Sequence, residues 1–342
     1  MDSKKKINIF NRRDFLKLSG ILIAGKLILP SKIFSAIKQP SKVLRSTFTM
    51  GSIVTVEAHC DDKVLCNLAI NEAFNEMKTI DKLMSVFDDS SQVSLINNFA
   101  NSEAVKVDSR IIELIKYAQD ISQRTDGNFD ITVEPLMQLY GFRSDDEINE
   151  IPSDKKLNEV LSAVGMENIV INENESSVFL NNSKTKIDFG GVAVGYAMDR
   201  AVSILKSYGI ESAFINHSGD IFAIGSPPEE AAWKIGVIDP TKQNDIVTTI
   251  NLKDEALATS GNYSNFVKID SRRVGHILNP KKGMLDENFL NFSITAPKTI
   301  EADALTTGLF VFDIEKANSF FKLNENLKYI AVLRDCNIVK NY

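Results

Sequence analysis

The sequence predicts an α+β protein with largely antiparallel sheet and helices packed against it. Two observations lead there. Helical and strand-like segments come in blocks, not as strict β-α-β repeats, which disfavours a parallel doubly wound sheet. The one glycine-rich strand-to-helix turn, Ile187 to Asp199, lacks the Gly-x-Gly-x-x-Gly spacing of a dinucleotide-binding Rossmann unit. At 342 residues and 44% hydrophobic, the chain is long and apolar enough for a large packed core. One large domain or two intimately joined lobes both fit that length.

The elements follow in order. Residues 47–58 alternate, with Ile53, Val54, Val56 and Ala58 in a strand-like run. Residues 64–84 carry Leu65, Leu68, Ala69, Ala73, Met77, Ile80 and Met84 at helical spacing. A second helix is expected from Ser109 to Arg124, with Asp108 or Ser109 as its cap and Gly127 beyond its end. Two short strands are expected near Asn168–Ile171 and Ser177–Leu180, and a third at Lys184–Asp188 leading into Gly190-Gly191. A helix from Val192 to Tyr208 is closed by Gly209. Strands then alternate with turns to residue 295, and a final helical region begins near Glu301.

Residues 1–36 differ from the rest. Lys4, Lys5 and Lys6 precede Asn11-Arg12-Arg13-Asp14-Phe15-Leu16-Lys17, then an apolar stretch from Leu18 to Leu29 and the small residues Ser35-Ala36. That order makes a twin-arginine export signal. Lys26 and Phe34 leave two outcomes open, cleavage near Ala36 or retention as an inner-membrane anchor. Localisation is therefore expected outside the cytoplasmic membrane, periplasmic or membrane-anchored. Residues 1–36 hold eight Lys/Arg and two Asp/Glu, so the remainder, with 31 basic and 43 acidic residues, is near −12. Such a surface discourages nucleic-acid binding. Three histidines exclude a multi-histidine metal centre, and the three cysteines fit no metal-ligand spacing. Cys60 and Cys66 flank a short polar turn, where pairing on oxidation and separate thiols are both open.

Several clusters carry residue types that suit chemistry. In Gly127-Asn128-Phe129-Asp130-Ile131, Asp130 either binds a polar edge of a planar ligand beside Phe129 and Tyr140 or caps a helix start. Asp188, Gly190 and Gly191 end in a helix start, where glycines admit a ligand and free N–H groups suit phosphate. Asn216 to Asp220 is a turn between apolar strands. Ser260, in Thr259-Ser260-Gly261, lacks a Gly-x-Ser-x-Gly elbow and reads as ligand contact or turn chemistry, not a nucleophile. His276, ahead of Asn279-Pro280, is a base, a ligand contact or a surface residue. Asp303 and Thr307 fall at i and i+4 on one helix face, where a carboxylate and a hydroxyl suit a hard cation; an acidic first helical turn is the plainer alternative.

Taken in order, these segments resemble the FAD:protein FMN transferase family, the ApbE family. The pieces are Thr49-Met50-Gly51-Ser52, Met84-Ser85-Val86-Phe87 with Ser91 and Asn97, and Phe129-Asp130-Ile131-Thr132-Val133-x-Pro135-Leu136. Asp188 to Asp199, Asn216 to Asp220, Thr259-Ser260-Gly261, His276 to Pro280 and Ala302 to Thr307 complete the set. They cover roughly residues 47–315. The resemblance implies an ApbE-like α+β fold of two intimately joined lobes over residues 42–342. It implies Mg²⁺ held by Asp303 and Thr307, with backbone carbonyls at Gly191 and Ile300. Met50, Phe87, Asn128, Phe129, Asp130, Asp188 and His276 would line the FAD site, Phe87 packing against the flavin. Val194 stands where many members carry Lys or Glu, so one polar FAD contact is missing. His217-Ser218-Gly219 replaces an apolar residue and two glycines.

The function so implied is Mg²⁺-dependent transfer of FMN from FAD to a Thr or Ser hydroxyl of an exported or membrane protein, with AMP released. Asp303 and His276 would be the catalytic groups, His276 accepting the hydroxyl proton. The target would carry an Asp-x-x-Ser/Thr-Gly-Ala-Ser/Thr motif, as on a redox subunit. The alternatives are an FAD pyrophosphatase giving FMN and AMP, a non-catalytic periplasmic flavin-binding protein, and an exported structural protein without flavin.

Overall fold

Where the sequence reads as one alternating run at 47–58, the chain makes a hairpin of β1 (Ser41–Thr49) and β2 (Ser52–Cys60). Thr49 pairs with Ser52, so Met50 and Gly51 form a two-residue loop with φ of +50° and +75°. Both signs are what a type I′ turn requires, and Gly51 meets the demand at no steric cost. Met50 does not, and Asp81 compensates: its Oδ2 accepts from the Met50 N–H at 2.6 Å and from Thr49 Oγ1 at 2.9 Å. The pattern of alternation is continuous across the turn, which is why the turn was not visible as a break.

The computed structural model describes residues 40–143, 150–242, 245–262, 265–270, 272–284 and 288–342. The export signal expected at 1–36 lies outside them. Helix α1 (Lys63–Met84) starts at Asp62, whose carboxylate accepts from the N–H groups of Val64 and Leu65. It buries Ala69, Ala73, Met77, Ile80 and Met84 of the predicted stripe, whereas Leu65 and Leu68 are exposed and Cys66 and Ile70 take the inward positions of the first turns. Cys60 and Cys66 at the β2–α1 junction are free thiols. There follow α2 (Gln92–Asn98), β3 (Val105–Lys106), α3 (Ser109–Arg124), α4 (Glu134–Leu139), α5 (Asp154–Leu161), β4 (Ile169–Asn172) and β5 (Ser177–Leu180). Helix α6 (Ala193–Ser207) leads to β6 (Ser212–His217), β7 (Asp220–Ile224), the hairpin β8 (Trp233–Ile238) and β9 (Ile246–Leu252), and β10 (Glu255–Gly261). A second hairpin, β11 (Phe266–Ile269) and β12 (Arg272–Gly275), precedes β13 (Phe289–Ala296). Helices α7 (Thr299–Leu309) and α8 (Ile314–Leu323) and strands β14 (Lys328–Leu333) and β15 (Ile338–Lys340) finish the fold.

One eight-stranded sheet, in the order β1-β2-β6-β7-β10-β13-β14-β15, is antiparallel at every pairing. Its strands alternate between two apolar environments. Phe222, Ile224, Ala256 and Ala258 join the main core with α1, α6 and α7. Their neighbours Ile221, Ala223 and Leu257 face a second cluster closed by Trp233, Ile235 and Val237 of β8. A third cluster joins α4, α5 and the β11–β12 hairpin through Leu136, Leu157, Ile269 and Val274. The α+β expectation with antiparallel sheet is what the fold shows.

The strand expected at Lys184–Asp188 is absent. That segment leaves a turn at Lys184 and joins no ladder. The Asn97 side chain brackets Ile187 instead, accepting from its N–H at 2.7 Å and donating to its carbonyl at 2.9 Å. Asp188 N–H then donates to the Ile131 carbonyl. An asparagine amide thus takes the place of a neighbouring strand, satisfying the same backbone groups.

Candidate functional site

A cavity of about 680 Å³ opens where the three apolar clusters meet. That size suits a bound small molecule or cofactor. Met50 enters it from the β1–β2 turn, Phe87 from the segment after α1, and Asn128, Phe129 and Asp130 from the segment after α3. Asp188 and Gly191 enter ahead of α6, His276 just past β12, and Asp303 and Thr307 from α7. Val194 and Ile300 are not among the lining residues. Val194 packs partly buried against the main core, and the Ile300 N–H donates to Asp199 Oδ2 at 3.1 Å.

Close approach of α6 and α7 builds the acidic end. The cap position of α7, Lys298, supplies no side-chain bond. Asp199, reaching across from α6, accepts from the N–H groups of Thr299 (2.8 Å) and Ile300 (3.1 Å), so one helix caps the other. Gly195 lies so near that an added Cβ would sit 2.6 Å from Ile300 Cα. Its N–H donates to Asp303 Oδ2 at 2.9 Å. Thr307 is one turn on, and a Cβ at Gly191 would lie 3.3 Å from its Oγ1, so Gly191 leaves a cradle beside that hydroxyl. Asp220, at the start of β7, accepts from the Thr259 N–H at 3.3 Å. Burial pushes the Asp303 carboxyl up to about 7, with Asp199 adding to the shift and the Gly195 N–H opposing it. Asp220 is raised well above the ordinary range by burial and by Asp303. Among the described residues no basic side chain offsets either group. Two carboxylates lacking a counter-charge, beside a hydroxyl and a glycine cradle, fit a hard divalent cation.

At the other side, Arg143 binds Glu134 at 2.8 Å and also Asp188, and its guanidinium lies 5.1 Å from the centroid of the Phe87 ring. Phe87 is 75% exposed, so this contact and the Ser85 turn hold an aromatic plate at the mouth of the cavity. His276 Nδ1 lies 3.1 Å from the Asn265 carbonyl oxygen. A proton on Nδ1 donates there and leaves the Nε2 lone pair free. Burial lowers the His276 pKa, so the ring is neutral at pH 7. Asp130 caps no helix. Its Oδ1 accepts from Thr132 N (2.7 Å) and Thr132 Oγ1 (2.6 Å), and burial raises it to about 6 against those two bonds. Asn128 is locked by Nδ2 donating to the Thr125 carbonyl.

Arg143 and Asn291 also line the cavity and were not singled out in the sequence. Arg143 directly follows Gly141-Phe142, yet only the fold brings Glu134, Asp188 and Phe87 around it. Asn291 lies inside a strand-like run and carries no local signal at all.

The ApbE family model matches residues 50–331. The chain belongs to the ApbE family. The match spans every lining residue from Met50 to Thr307. The chain is similar to the FAD:protein FMN transferase of Escherichia coli K12, 25% identical over 266 residues, covering 77% of this chain and 76% of that protein. It is also similar to that of Haemophilus influenzae Rd, 25% identical over 334 residues and 94% of each chain. The crystal structure of the ApbE protein of Thermotoga maritima superposes with a TM-score of 0.81 at 32% identity, covering 88% of this chain and 97% of that one. The flavinyl transferase ApbE of Pseudomonas stutzeri gives 0.78 at 25% identity, over 89% and 95%.

Proposed function

We propose that this ApbE-family protein is a flavin transferase enzyme, an FAD:protein FMN transferase. It moves the FMN half of FAD onto a Thr or Ser hydroxyl of another protein and releases AMP. One observation carries the reading: an oxygen-donor cluster suited to a divalent cation and a neutral, oriented histidine share a single cavity. The transferases named above support it, and the family match at residues 50–331 spans all of these residues.

Asp303 and Thr307, with the Gly191 carbonyl, would hold Mg²⁺; Ile300, which the resemblance also implied as a ligand, stands off the cavity wall. When bound, that ion neutralises negative charge on a pyrophosphate and so lowers the barrier to attack. The chain's own residues do the rest. Phe87, fixed by Arg143, offers a flat face to the isoalloxazine, and Asn128 and Asp130 present locked polar groups to its edge. The target hydroxyl attacks the FMN-side phosphorus; its proton passes to His276 Nε2. The new P–O bond forms as the bond to the AMP phosphate breaks, and AMP carries away that electron pair. Val194 offers no polar side chain, so this site binds FAD without that contact.

The twin-arginine segment at 1–36 directs the folded protein across the cytoplasmic membrane, to remain periplasmic or anchored there. Its targets are exported or membrane redox proteins with the Asp-x-x-Ser/Thr-Gly-Ala-Ser/Thr motif. Intact mass of such a peptide, incubated with the protein, FAD and Mg²⁺, tests the reading. A gain of one FMN with AMP released is the expected result. FMN and AMP free in solution, with unmodified peptide, would make it a pyrophosphatase. Intact FAD and unmodified peptide would make it a carrier.

A further inference from the structure

Residues paired across neighbouring antiparallel strands stand on the same face of a sheet, so the registers trace one face through five strands. Phe48 opposite Ile53, Thr55 opposite Asn216, Asn216 opposite Ile221 and Ile221 opposite Leu257 all belong to it. The β8–β9 hairpin covers part of that face. Trp233, Ile235 and Val237 close over Ile221, Ala223 and Leu257, and the Trp233 ring stacks on Phe214 and lies 5.9 Å from His59. The corner beside the β1–β2 turn is left open among the described residues: Phe48 is 69% exposed and Ile53 56%. Leu44, further along the same side of β1, is exposed as well. A contiguous apolar patch, unlike one exposed leucine, marks a contact surface.

This corner adjoins the cavity. The next rung after Phe48 and Ile53 is Thr49–Ser52, and the turn it closes sends Met50 into the cavity. Ser52 Oγ contacts Ser218 Oγ, and Ser218, Asn216 and Ile221 are lining residues. From the hairpin, Ile238 both lines the cavity and is exposed. The open face therefore continues from Phe48 to the cavity wall. Its lysine, Lys42, is paired with Glu57 at 2.6 Å, and its Ser46 and Thr55 hydroxyls bond each other at 3.0 Å. A face so neutralised has little to draw an anionic lipid surface. The transfer reaction, in contrast, needs a second polypeptide at the cavity mouth, because the acceptor hydroxyl belongs to another protein. Resting on the transferase reading, we propose that Phe48 and Ile53 are a docking surface for that target polypeptide, seating an apolar side chain that flanks the acceptor residue. Ile53 on β2 and Asp220 on β7 are two strands apart, about 10 Å across the sheet. An extended chain advances about 3.3 Å per residue, so the flanking side chain belongs about three or four residues from the acceptor.

The test compares the wild-type protein with the double variant Phe48→Thr, Ile53→Thr, which keeps strand-favouring residues on the hairpin and is checked by thermal melting. The acceptors are a motif peptide with leucine four residues to each side of the acceptor hydroxyl, and the same peptide with serine at both places. For the leucine peptide the double variant should raise KM roughly tenfold, with kcat and FAD binding unchanged. On the wild-type protein the serine peptide should show a similar rise, and the double variant should no longer tell the two peptides apart. An unchanged KM for the leucine peptide in the folded variant overturns the proposal, as does loss of FAD binding, which would place the pair in the dinucleotide site. Conversion of a dimer to a monomer, or lost binding to phosphatidylglycerol vesicles, with peptide KM unchanged would give the face to a second copy or to the membrane instead. Should the double variant fail to fold, the two peptides on the wild-type protein decide, and equal KM refutes the docking surface. If FMN is transferred to both peptides alike, only the docking assignment fails. If the wild-type protein transfers none, the transferase reading falls and the docking surface falls with it.

Discussion

Gly195→Ala asks whether the contact between α6 and α7 sets the geometry of the acidic end. The added methyl carbon would stand 2.6 Å from Ile300 Cα, 2.7 Å from the Thr299 carbonyl oxygen and 2.8 Å from Ile300 N. All three are backbone atoms in the first turn of α7, so no flexible side chain can yield. Reaching ordinary contact at 3.4 Å requires the helices to part by up to about 0.8 Å. Overpacking of this kind costs about 1–3 kcal/mol, while alanine's better helix propensity returns up to about 1 kcal/mol. The net loss, up to about 2 kcal/mol, should lower the melting temperature by only a few degrees in a chain of this size. Function should suffer more. The same parting breaks the 2.9 Å bond from Gly195 N–H to Asp303 Oδ2 and carries Asp303 and Thr307 away from Gly191. A misplacement near 1 Å costs about a hundredfold in rate. Melting curves and FMN transfer to a motif peptide, measured side by side, give both numbers. Wild-type turnover in a folded Gly195→Ala protein would refute the view that this approach positions the site.

Three further outcomes follow from the same geometry. Asp303→Asn keeps an acceptor for the Gly195 N–H but removes the carboxylate, so transfer should fall at least ~100-fold while the melting temperature holds or rises; full activity in saturating FAD and Mg²⁺ would sink the metal role. Burial lowers the His276 pKa below 6.5, and only the neutral ring accepts a proton, so transfer should rise with pH through a value under 6.5 and then level. His276→Asn should lose roughly 10²–10⁴-fold and flatten that limb, and an unchanged pH profile in the variant would exclude His276 as the base. Asp130 has a folded pKa raised to about 6 from 3.8, so its contribution to stability is full below 3.8 and is lost as pH rises through 6. The melting temperature of ligand-free Asp130→Asn should therefore gain on wild type between pH 4 and pH 7, as scanning fluorimetry would read; a constant difference would contradict the burial argument.

Much of this molecule is local in origin. The span of α1, the Asp108-capped α3 and the Gly209 stop after α6 follow from periodicity and caps that neighbouring residues decide. The i, i+4 pair Asp303 and Thr307 shares a helix face for the same reason, and the ordered motifs were enough to indicate the ApbE family. Other features needed partners distant in the chain. Strand-like Lys184–Asp188 joins no sheet because Asn97, ninety residues earlier, satisfies Ile187 first. Met50 holds a left-handed turn because Asp81 receives its N–H. Arg143 acquires its place from Glu134, Asp188 and Phe87, and Asn291 stands out only because the Ile238 carbonyl claims one end of its amide.

The sequence by itself determined the long helices α1, α3 and α6, though not the short helices α2, α4 and α5, and it determined which chemistry-bearing residues exist and which family they resemble, since hydrophobic period, capping and motif order are properties of neighbouring residues. Tertiary structure alone decided that α6 caps α7, that Asp220 lies beside Asp303 with no basic partner among the described residues, and that the buried Asn291 amide oxygen is left without a hydrogen-bond partner among them. Burial, charge proximity and hydrogen-bond satisfaction depend on which distant atoms meet, and only folding brings those atoms together.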